Sequence, residues 1–381
     1  MDRGALGEQL FALLRDLVAI PSTYPPGNTE RIAAFCAEFL GALGFKTSTH
    51  TRTKGVDNLV ARLGAGKPSV VFNAHADTVG IGERSAWRTD PLAATLLGGK
   101  VYGLGAANCK ASMAVQLWLA RELARGGGPK RGELVFTFVG DEENLGPAGM
   151  AYLREVRAVN PDTLIVAAPT RNRIVYEERG VMWVKAATRG KAAHAGAPHT
   201  GESAVLKMVD IISRLQKEFL PRIDNRKSAT GQQATLSLGR IRGGENINVV
   251  PDLCTIELDR RLLPDEDFDA VFRELKDFLQ QAGAVEVELL TGTPGFSAPE
   301  NGAGAKALAE AVREVTGKAP ERLNVVGASD GRYFAADGIE ILVTGPGDGA
   351  DSHIPNEFVA LEEMVEAALI QRAALARLLG A

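Results

Sequence analysis

Three of the five histidines, His75, His194 and His353, stand among glycine, alanine, aspartate or proline residues, which are typical of loops. Asp77 follows His75 two residues later. A metal-bound imidazole usually donates its second N–H to a carboxylate or carbonyl, and that bond fixes its tautomer. The pair therefore fits a metal ligand with its orienting partner, although a single histidine at a strand end is more often structural.

Three consecutive acidic residues, Asp141, Glu142 and Glu143, follow directly on the apolar run 134–140. Neighbouring side chains leave a strand end in different directions, so one carboxylate can bind a metal while another acts as a general base. Metal-assisted hydrolysis requires nitrogen and oxygen ligands, an open coordination position for water, and a base for the proton of that water. Taken alone, however, the triplet also fits a solvated acidic turn.

The polar residues of the first half follow short apolar runs that alternate with helical patterns. Helical spacing of apolar residues predicts surface helices over 8–18 and 29–43. The apolar runs that precede candidate site residues are Ser69–Ala74, Leu134–Gly140 and Leu164–Ala168. This alternation predicts an α/β fold with a central, mostly parallel and largely buried sheet. Ligands bind beyond the carboxyl ends of the strands in such sheets, which is where the polar residues fall.

From about Gly180 the pattern changes to alternating strands and helices. The predicted elements are the strand Val181–Thr188, the helix Glu202–Leu220, the strands Ala234–Ile241 and Asp252–Arg260, the helix Phe268–Ala282 and the strand Val285–Thr291. This βαββαβ order predicts an inserted α+β domain over 180–291. A helix over 304–316 and a strand over 340–344 follow, so the α/β domain is predicted to be discontinuous, over 1–179 and 292–381.

Composition and charge exclude several classes of protein. Hydrophobic residues form 45% of the chain, and 43 basic against 47 acidic side chains give a net charge of -4, which argues against disorder and against a nucleic-acid partner. The apolar runs are too short to span a bilayer, so no membrane partner is expected. Cys36, Cys109 and Cys254 are widely scattered and fit reduced thiols better than disulfides. We therefore predict a cytoplasmic protein with two domains.

Five short motifs occur in an order that resembles peptidase family M20, which includes acetylornithine deacetylase, succinyl-diaminopimelate desuccinylase and carboxypeptidase G-type enzymes. They are His75–Asp77, Gly103–Lys110, Asp141–Glu143, Ala168–Thr170 and His353–Glu357. Each motif is weak alone, but five in order around an inserted βαββαβ domain are specific. The resemblance implies a metal-dependent hydrolase that cleaves an amide or related C–N bond of a small carboxylate-bearing substrate, such as an N-acyl amino acid or a short peptide. It also implies a homodimer, with the inserted domain as lid and dimerisation surface.

The same resemblance implies roles for residues of the α/β domain. Glu142 corresponds to the general base of the family. Glu143 and His353 correspond to the protein ligands of one metal position, and His75 corresponds to a ligand of the other. Asp77 corresponds to the residue that orients His75.

Three residues of the inserted domain resemble family positions that act on the substrate. His194 resembles the histidine that reaches the active site of a neighbouring subunit and stabilises the tetrahedral oxyanion. Asn248 and Arg261 resemble positions that help to hold substrate, often its carboxylate, which a planar guanidinium binds in bidentate fashion. A surface-loop histidine and an ordinary salt bridge at a strand end are the alternatives for His194 and Arg261.

Two positions depart from the family pattern. Asn108 stands where members place an aspartate that bridges two metals, and Ala168 stands where they place an acidic ligand of the His75 position. Two dications about 3.5 to 4 Å apart repel strongly, and a bridging carboxylate offsets that repulsion. We therefore expect one divalent metal per subunit, either zinc, manganese or cobalt, bound by Glu143 and His353 with the Asn108 side-chain oxygen as a further ligand.

Three functions are compatible with these residues. A hydrolase with one metal is the leading interpretation, because the acidic triplet, His194 and His353 are present. A catalytically silent homologue that binds a small ligand or regulates a partner is the second, and the loss of two anionic ligands favours it. A two-metal peptidase with replacement ligands ranks last, because it needs two unidentified anionic donors. Cys109 is one candidate donor, but the family usually has an apolar residue there, which favours a packing role.

Overall fold

The computed structural model describes residues 2–284, 286–325 and 327–380. The helices of this part of the chain are α1 (Arg3–Val18), α2 (Glu30–Ala42), α3 (Lys110–Arg125), α4 (Met150–Glu155), α5 (Ala204–Arg214), α6 (Leu220–Asp224), α7 (Phe268–Gln281), α8 (Ala303–Thr316) and α9 (Leu361–Leu379). None of these described helices combines the length and the hydropathy that a bilayer crossing requires.

The strands of the described residues, in chain order, are β1 (Lys46–Thr53), β2 (Val56–Gly64), β3 (Ser69–His75), β4 (Thr95–Leu97), β5 (Lys100–Tyr102), β6 (Glu133–Val139), β7 (Thr163–Val166), β8 (Glu177–Glu178), β9 (Gly180–Arg189), β10 (Thr235–Gly243), β11 (Leu253–Leu262), β12 (Glu286–Thr293), β13 (Phe296–Ser297), β14 (Glu340–Val343) and β15 (Phe358–Ala360). The predicted strand over 285–291 corresponds to β12, and its first residue, Val285, lies outside the described residues.

The chain divides into two compact units. The first, called the α/β unit below, comprises Met1–Tyr176, Ala298–Val325 and Ser329–Ala381, and the second, called the α+β unit, comprises Glu177–Ser297 and Val326–Ala328. The α+β unit begins and ends with the short strands β8 and β13, which pair with each other. Because β8 and β13 belong to the α+β unit, this unit begins after Tyr176 and ends at Ser297, whereas the sequence pattern places its bounds at residues 180 and 291. The sequence pattern does not indicate strands of only two residues.

The α/β unit is built on a six-stranded sheet with the order β1-β2-β6-β3-β7-β14. Strands β6, β3, β7 and β14 are parallel to one another, and β1 and β2 add an antiparallel edge. The prediction of a mostly parallel sheet is therefore confirmed. Every residue of β3 is buried, and His75 at its end lies opposite Val139 of β6. The carboxyl ends of β3 and β6 thus meet at one edge, two residues before Asp141.

Helix α3 is the core helix of this unit, and the sequence pattern did not indicate it. Its side chains from Lys110 to Ala120 are all buried, because α3 packs on β3 and also contacts α1 and α9. A helix buried on all sides lacks the polar stripe that produces a 3.6-residue period. Even Lys110 is buried; its ammonium group donates to the Ile20 carbonyl at 2.8 Å, and burial lowers its pKa to about 7.

The α+β unit has the βαββαβ order that the sequence predicts. Its antiparallel sheet has the strand order β10-β11-β9-β12, and α5 and α7 pack on it. Alternate residues of β11, including Ile256 and Leu258, are buried in the core. The predicted helix over 202–220 is less regular than expected. It begins at Ala204, because the Ser203 hydroxyl caps it by accepting from the Leu206 N–H, and a π-helical turn over 215–219 separates α5 from α6.

Candidate active site and metal centre

Five predicted residues come together in the α/β unit. His75 ends β3, Glu142 and Glu143 follow β6, Asn108 precedes α3, and His353 lies in the loop between β14 and β15. Hydrogen bonds or ion-pair distances connect all five, as detailed below. The side chains of His75, Glu142 and Glu143 each offer a ligand atom, and these atoms lie within 4.8 Å of one another.

The acidic turn, residues 141–146, has a conformation that only certain residues tolerate. Asp141 has a φ of 64°, in the left-handed region where aspartate is one of the few favoured residues. Its carboxylate accepts from the Asn144 side chain at 3.2 Å and from the Ala148 N–H at 2.9 Å. A Cβ at Gly146 would lie 1.9 Å from the Asp141 carboxylate, so this position requires glycine. The first acidic residue therefore shapes the turn, which leaves Glu142 and Glu143 for chemistry.

Asn108 stands between the two candidate metal positions. Its Oδ1 lies 3.0 Å from His75 Nε2. Its Nδ2 lies 3.1 Å from Glu143 Oε1 and 3.1 Å from His353 Nε2. The Asn108 oxygen therefore faces His75, and not Glu143 and His353, beside which the sequence predicts it as a further metal ligand.

His353 and Glu143 approach each other closely, with 2.8 Å between Nε2 and Oε1. The proton that Nε2 carries decides the contacts: with it the imidazole donates to the Glu143 carboxylate, and only without it can Nε2 accept from Asn108 Nδ2. Two acceptors at this distance repel unless a proton or a cation lies between them. The hydrogen bond to the Glu143 carboxylate accordingly raises the pKa of His353 above its usual value. The pair therefore shares either the Nε2 proton or a cation in its place.

His75 is buried and its two ring nitrogens face oxygen atoms. Nδ1 lies 2.9 Å from the main-chain carbonyl of Asp77 but 3.6 Å from the Asp77 carboxylate. Burial lowers the pKa of His75, but the carboxylates of Glu142 and Asp77 more than offset it, so the pKa is well above its usual value. The Asp77 carboxylate itself accepts from the Glu143 N–H at 3.1 Å. Asp77 therefore orients His75 mainly through its carbonyl, and its carboxylate orients the acidic turn, which sequence reasoning did not anticipate.

Glu142 lies beside His75, with 3.9 Å between Oε2 and Nε2. Burial raises the pKa of Glu142 to about 8, although the nearby charges of His75 and Arg332 lower it. A carboxylate with a pKa near neutral can both accept and return a proton under physiological conditions. This environment suits the role of general base that the family resemblance implies.

Glu357 supports the loop that carries Asn108. In the sequence it stands out only as the last residue of the motif His353–Glu357. Its buried carboxylate accepts from the main-chain N–H groups of Gly105, Ala107 and Asn108 at 3.0, 2.9 and 3.0 Å. Burial raises the pKa of Glu357 despite these bonds. Such contacts to main-chain groups leave no periodic pattern in the sequence, so only the position of Glu357 beside His353 pointed to it.

A second group that sequence reasoning missed is the 3₁₀ turn over 330–334. Asp330 and Arg332 are almost completely buried in it. Burial raises the pKa of Asp330 to about 6, while the charges of Arg332 and His75 lower it. Glu142 is among the groups that raise the pKa of Arg332 against the effect of burial. The opposite charges at 330 and 332, next to Gly331, were the available sequence signal.

His194 and Asn248 are neighbours within the α+β unit. The Ala195 N–H donates to the Asn248 carbonyl at 2.9 Å, and His194 forms a β-bridge with Val249. His194 is exposed, and its Nδ1 accepts from the Gly196 N–H at 3.0 Å. In a neutral imidazole the proton then lies on Nε2, which leaves an N–H donor for another group.

Arg261 is already paired. Its Nε and Nη2 lie 2.7 and 3.1 Å from the two carboxylate oxygens of Asp259, which also accepts from Trp183 Nε1 at 2.8 Å. The salt-bridge alternative therefore describes its position, and a substrate role for Arg261 remains a proposal. Cys109 is fully buried, and burial raises the pKa of its thiol, which supports packing over metal ligation.

Comparisons with known proteins agree with the fold. Residues 71–377 match peptidase family M20/M25/M40. The succinyl-diaminopimelate desuccinylase of Thiobacillus denitrificans is 31% identical over 396 aligned positions, which cover 100% of this chain and 97% of the relative. An M20 family metallo-carboxypeptidase from Sulfolobus solfataricus is similar with a TM-score of 0.80 at 20% identity, over 99% of each chain. A dinuclear metal-binding M20 peptidase from Bacillus subtilis is similar with a TM-score of 0.73 at 18% identity, also over 99% of each chain.

The chain belongs to peptidase family M20/M25/M40. It is accordingly a metal-dependent hydrolase of C–N bonds, of the deacylase or peptidase kind. Divalent metals are the cofactors of this family, and its members act on small substrates.

Proposed function

We propose that this protein is a hydrolase with one metal, which cleaves an amide or related C–N bond of a small carboxylate-bearing substrate such as an N-acyl amino acid or short peptide. The observation that carries the proposal is the 2.8 Å approach of Glu143 Oε1 to His353 Nε2. Nitrogen and carboxylate oxygen are ligands that zinc, manganese and cobalt all accept. A cation can replace the proton that otherwise lies between these two atoms.

The donors of the two family positions differ in how well they fit a dication. Glu143 and His353 supply an anionic and a neutral ligand that already converge. At the other position, Asn108 presents only a neutral oxygen to His75, and the Ala168 methyl cannot act as a ligand. A second dication would therefore lack the carboxylate that offsets repulsion between the metals. The available ligands therefore favour one metal per subunit.

The chain's own residues supply the proton transfers. A bound dication would polarise the scissile carbonyl and acidify a water molecule. Glu142 takes the proton of the attacking water and returns it to the leaving nitrogen. His194 of a second copy donates its Nε2–H to the developing oxyanion, and Asn248 and Arg261 help to bind the substrate carboxylate. Closure of the α+β unit as a lid would exclude water from the reaction.

A catalytically silent homologue that binds a small ligand or regulates a partner is the second candidate. It is supported by the loss of two anionic ligands, because Asn108 and Ala168 offer no negative charge to a dication. A protein of this kind would bind no metal with useful affinity. Metal content therefore distinguishes the two candidates.

Metal stoichiometry is the experiment that tests the proposed function. We expect about one metal per chain in protein purified without chelators, by inductively coupled plasma mass spectrometry. His353→Ala removes a ligand and should abolish binding, whereas His75→Ala should retain it, because the proposed cation lies at Glu143 and His353 and not at the position of His75. His50→Ala, in β1, is the matched control and should bind like the unchanged protein.

Absence of metal in every variant, even after loading with zinc, manganese or cobalt, would reject the hydrolase and favour the silent homologue. Two metals per chain would instead favour a two-metal peptidase. If His75→Ala lost the metal and His353→Ala retained it, the cation would bind at the position of His75, and the proposed site at Glu143 and His353 would be wrong.

We also propose that two copies associate through the α+β unit. Leu206 and Val209 of α5 and Leu238 and Ile241 of β10 are large apolar side chains that are 40 to 66% exposed. Helix α5 adjoins β10, because a Cβ at Gly243 would lie 2.8 Å from the Val205 side chain. β10 is also an edge strand of its sheet. An apolar patch beside an open strand edge suits a second copy, which would continue the sheet by two-fold symmetry.

Sedimentation velocity tests this association. Ile241→Lys places a charge in the apolar patch and should convert a dimer to a monomer. Ile247→Lys is the matched control, because Ile247 is fully exposed in the same unit but lies outside β10. A monomer for the unchanged protein, or a dimer that survives Ile241→Lys, would contradict the proposed interface.

We also propose that the protein is cytoplasmic. Cys36, Cys109 and Cys254 are buried free thiols. Unpaired thiols are typical of a reducing compartment.

A further inference from the structure

The acidic turn is tied to the rest of the α/β unit from more than one side. Within the turn, the Leu145 N–H donates to the Glu142 carbonyl at 2.8 Å and the Gly146 N–H donates to the Asp141 carbonyl at 2.9 Å. From the side of β3, the Asp77 carboxylate accepts from the Glu143 N–H. The carbonyl groups at the far end of the turn need a donor from another element.

Tyr333 supplies that donor. Its hydroxyl lies 2.8 Å from the Gly146 carbonyl and 3.3 Å from the Leu145 carbonyl. Arg332 Nη2 donates to the same hydroxyl at 2.6 Å. A tyrosine hydroxyl has one proton and accepts through its oxygen, and a guanidinium can only donate. The bond from Arg332 therefore directs the hydroxyl proton toward the carbonyls of the turn.

Arg332 is itself held in one position. Its side chain is almost completely buried, and its Nη1 donates to the Ser329 carbonyl at 3.2 Å. The guanidinium lies over the Tyr333 ring, 4.3 Å from the centroid. A planar group with these contacts has little freedom to rotate. The 3₁₀ turn thus fixes the direction of these hydrogen bonds: Arg332 donates to Tyr333, and Tyr333 donates to the Gly146 carbonyl.

We infer that Arg332 and Tyr333 are positioning residues that hold the acidic turn, and with it Glu142 and Glu143, in the orientation needed for catalysis. This inference deepens the proposed function and rests on it for the meaning of that orientation. The hydroxyl acts on the main chain of the turn and touches no reacting atom. Removing it should loosen the turn without unfolding the unit.

Hydrogen–deuterium exchange of metal-free Tyr333→Phe tests the inference independently of activity. Loss of one hydrogen bond should accelerate amide exchange about five- to tenfold in peptides that cover residues 141–148. Exchange in β3 and α3 should stay unchanged. Tyr152→Phe, in helix α4 of the same unit, is the matched control and should leave the turn unaffected.

Unchanged exchange over residues 141–148, or an equal acceleration throughout the α/β unit, would overturn the inference. In metal-loaded protein, Tyr333→Phe should lower kcat with little change in KM once a substrate is known, and a rise in KM alone would also contradict it. If the exchange result holds in a protein that binds no metal, the proposed hydrolase fails while the support of the turn by Tyr333 stands.

Discussion

Glu142→Gln is expected to lower kcat of the metal-loaded protein about a thousandfold, because the amide cannot accept the proton of the attacking water. Glutamine has nearly the same shape, so the buried position beside His75 should stay filled. KM should change little, since the lost interaction belongs to the transition state. Steady-state hydrolysis of a panel of N-acyl amino acids and dipeptides measures both constants.

Metal content must be measured on the same Glu142→Gln preparation. Glu142 lies in the group of potential ligand atoms with His75 and Glu143, so geometry alone permits it to act as a ligand. Retained metal with lost turnover identifies a base, whereas lost metal identifies a ligand. Glu155→Gln, on the exposed end of α4, is the control for a lost surface charge. Full turnover by Glu142→Gln would exclude Glu142 as the base.

The double variant Asn108→Asp/Ala168→Glu is expected to bind two metals per chain, where the unchanged protein binds one. Aspartate has the shape of Asn108 and would give both positions a shared negative charge. Glutamate at 168 would add an anionic ligand to the position of His75. Bridging oxygen donors permit two metals about 3.5 to 4 Å apart in two-metal hydrolases. Metal analysis after loading and desalting measures the stoichiometry.

The single variants separate the two effects. Ala168→Glu alone should stay near one metal, because the repulsion between two dications would lack a bridging carboxylate. Asn108→Asp alone should raise occupancy of the second position only partly. A double variant that still binds one metal would show that more than these two ligands has been lost at the His75 position.

The α/β site was largely predictable because parallel strands end at one edge of a sheet. His75 and the acidic residues follow β3 and β6, so the topology alone brings them together. The resemblance to the family added Asn108 and gave His353 its role as a ligand; the loops of both residues have no periodic signal. These five side chains do lie in contact through the distances described above.

What the sequence did not indicate has a common physical origin. Glu357 and Tyr333 act on main-chain groups of distant loops, and such bonds depend on tertiary position and not on local residue pattern. Asp77 was expected to orient His75 through its carboxylate, but its carbonyl is closer. Helix α3 is buried on all sides and so carries no amphipathic period.

The amide of Asn108 also bears on the order in which the protein matures. Where folding depends on a metal, the free energy of binding is part of the free energy of folding, and chelators denature the protein. Here Asn108 gives His75, Glu143 and His353 hydrogen-bond contacts that require no cation. We therefore expect the fold to withstand chelators, so that metal supply would control activity without controlling the amount of folded protein.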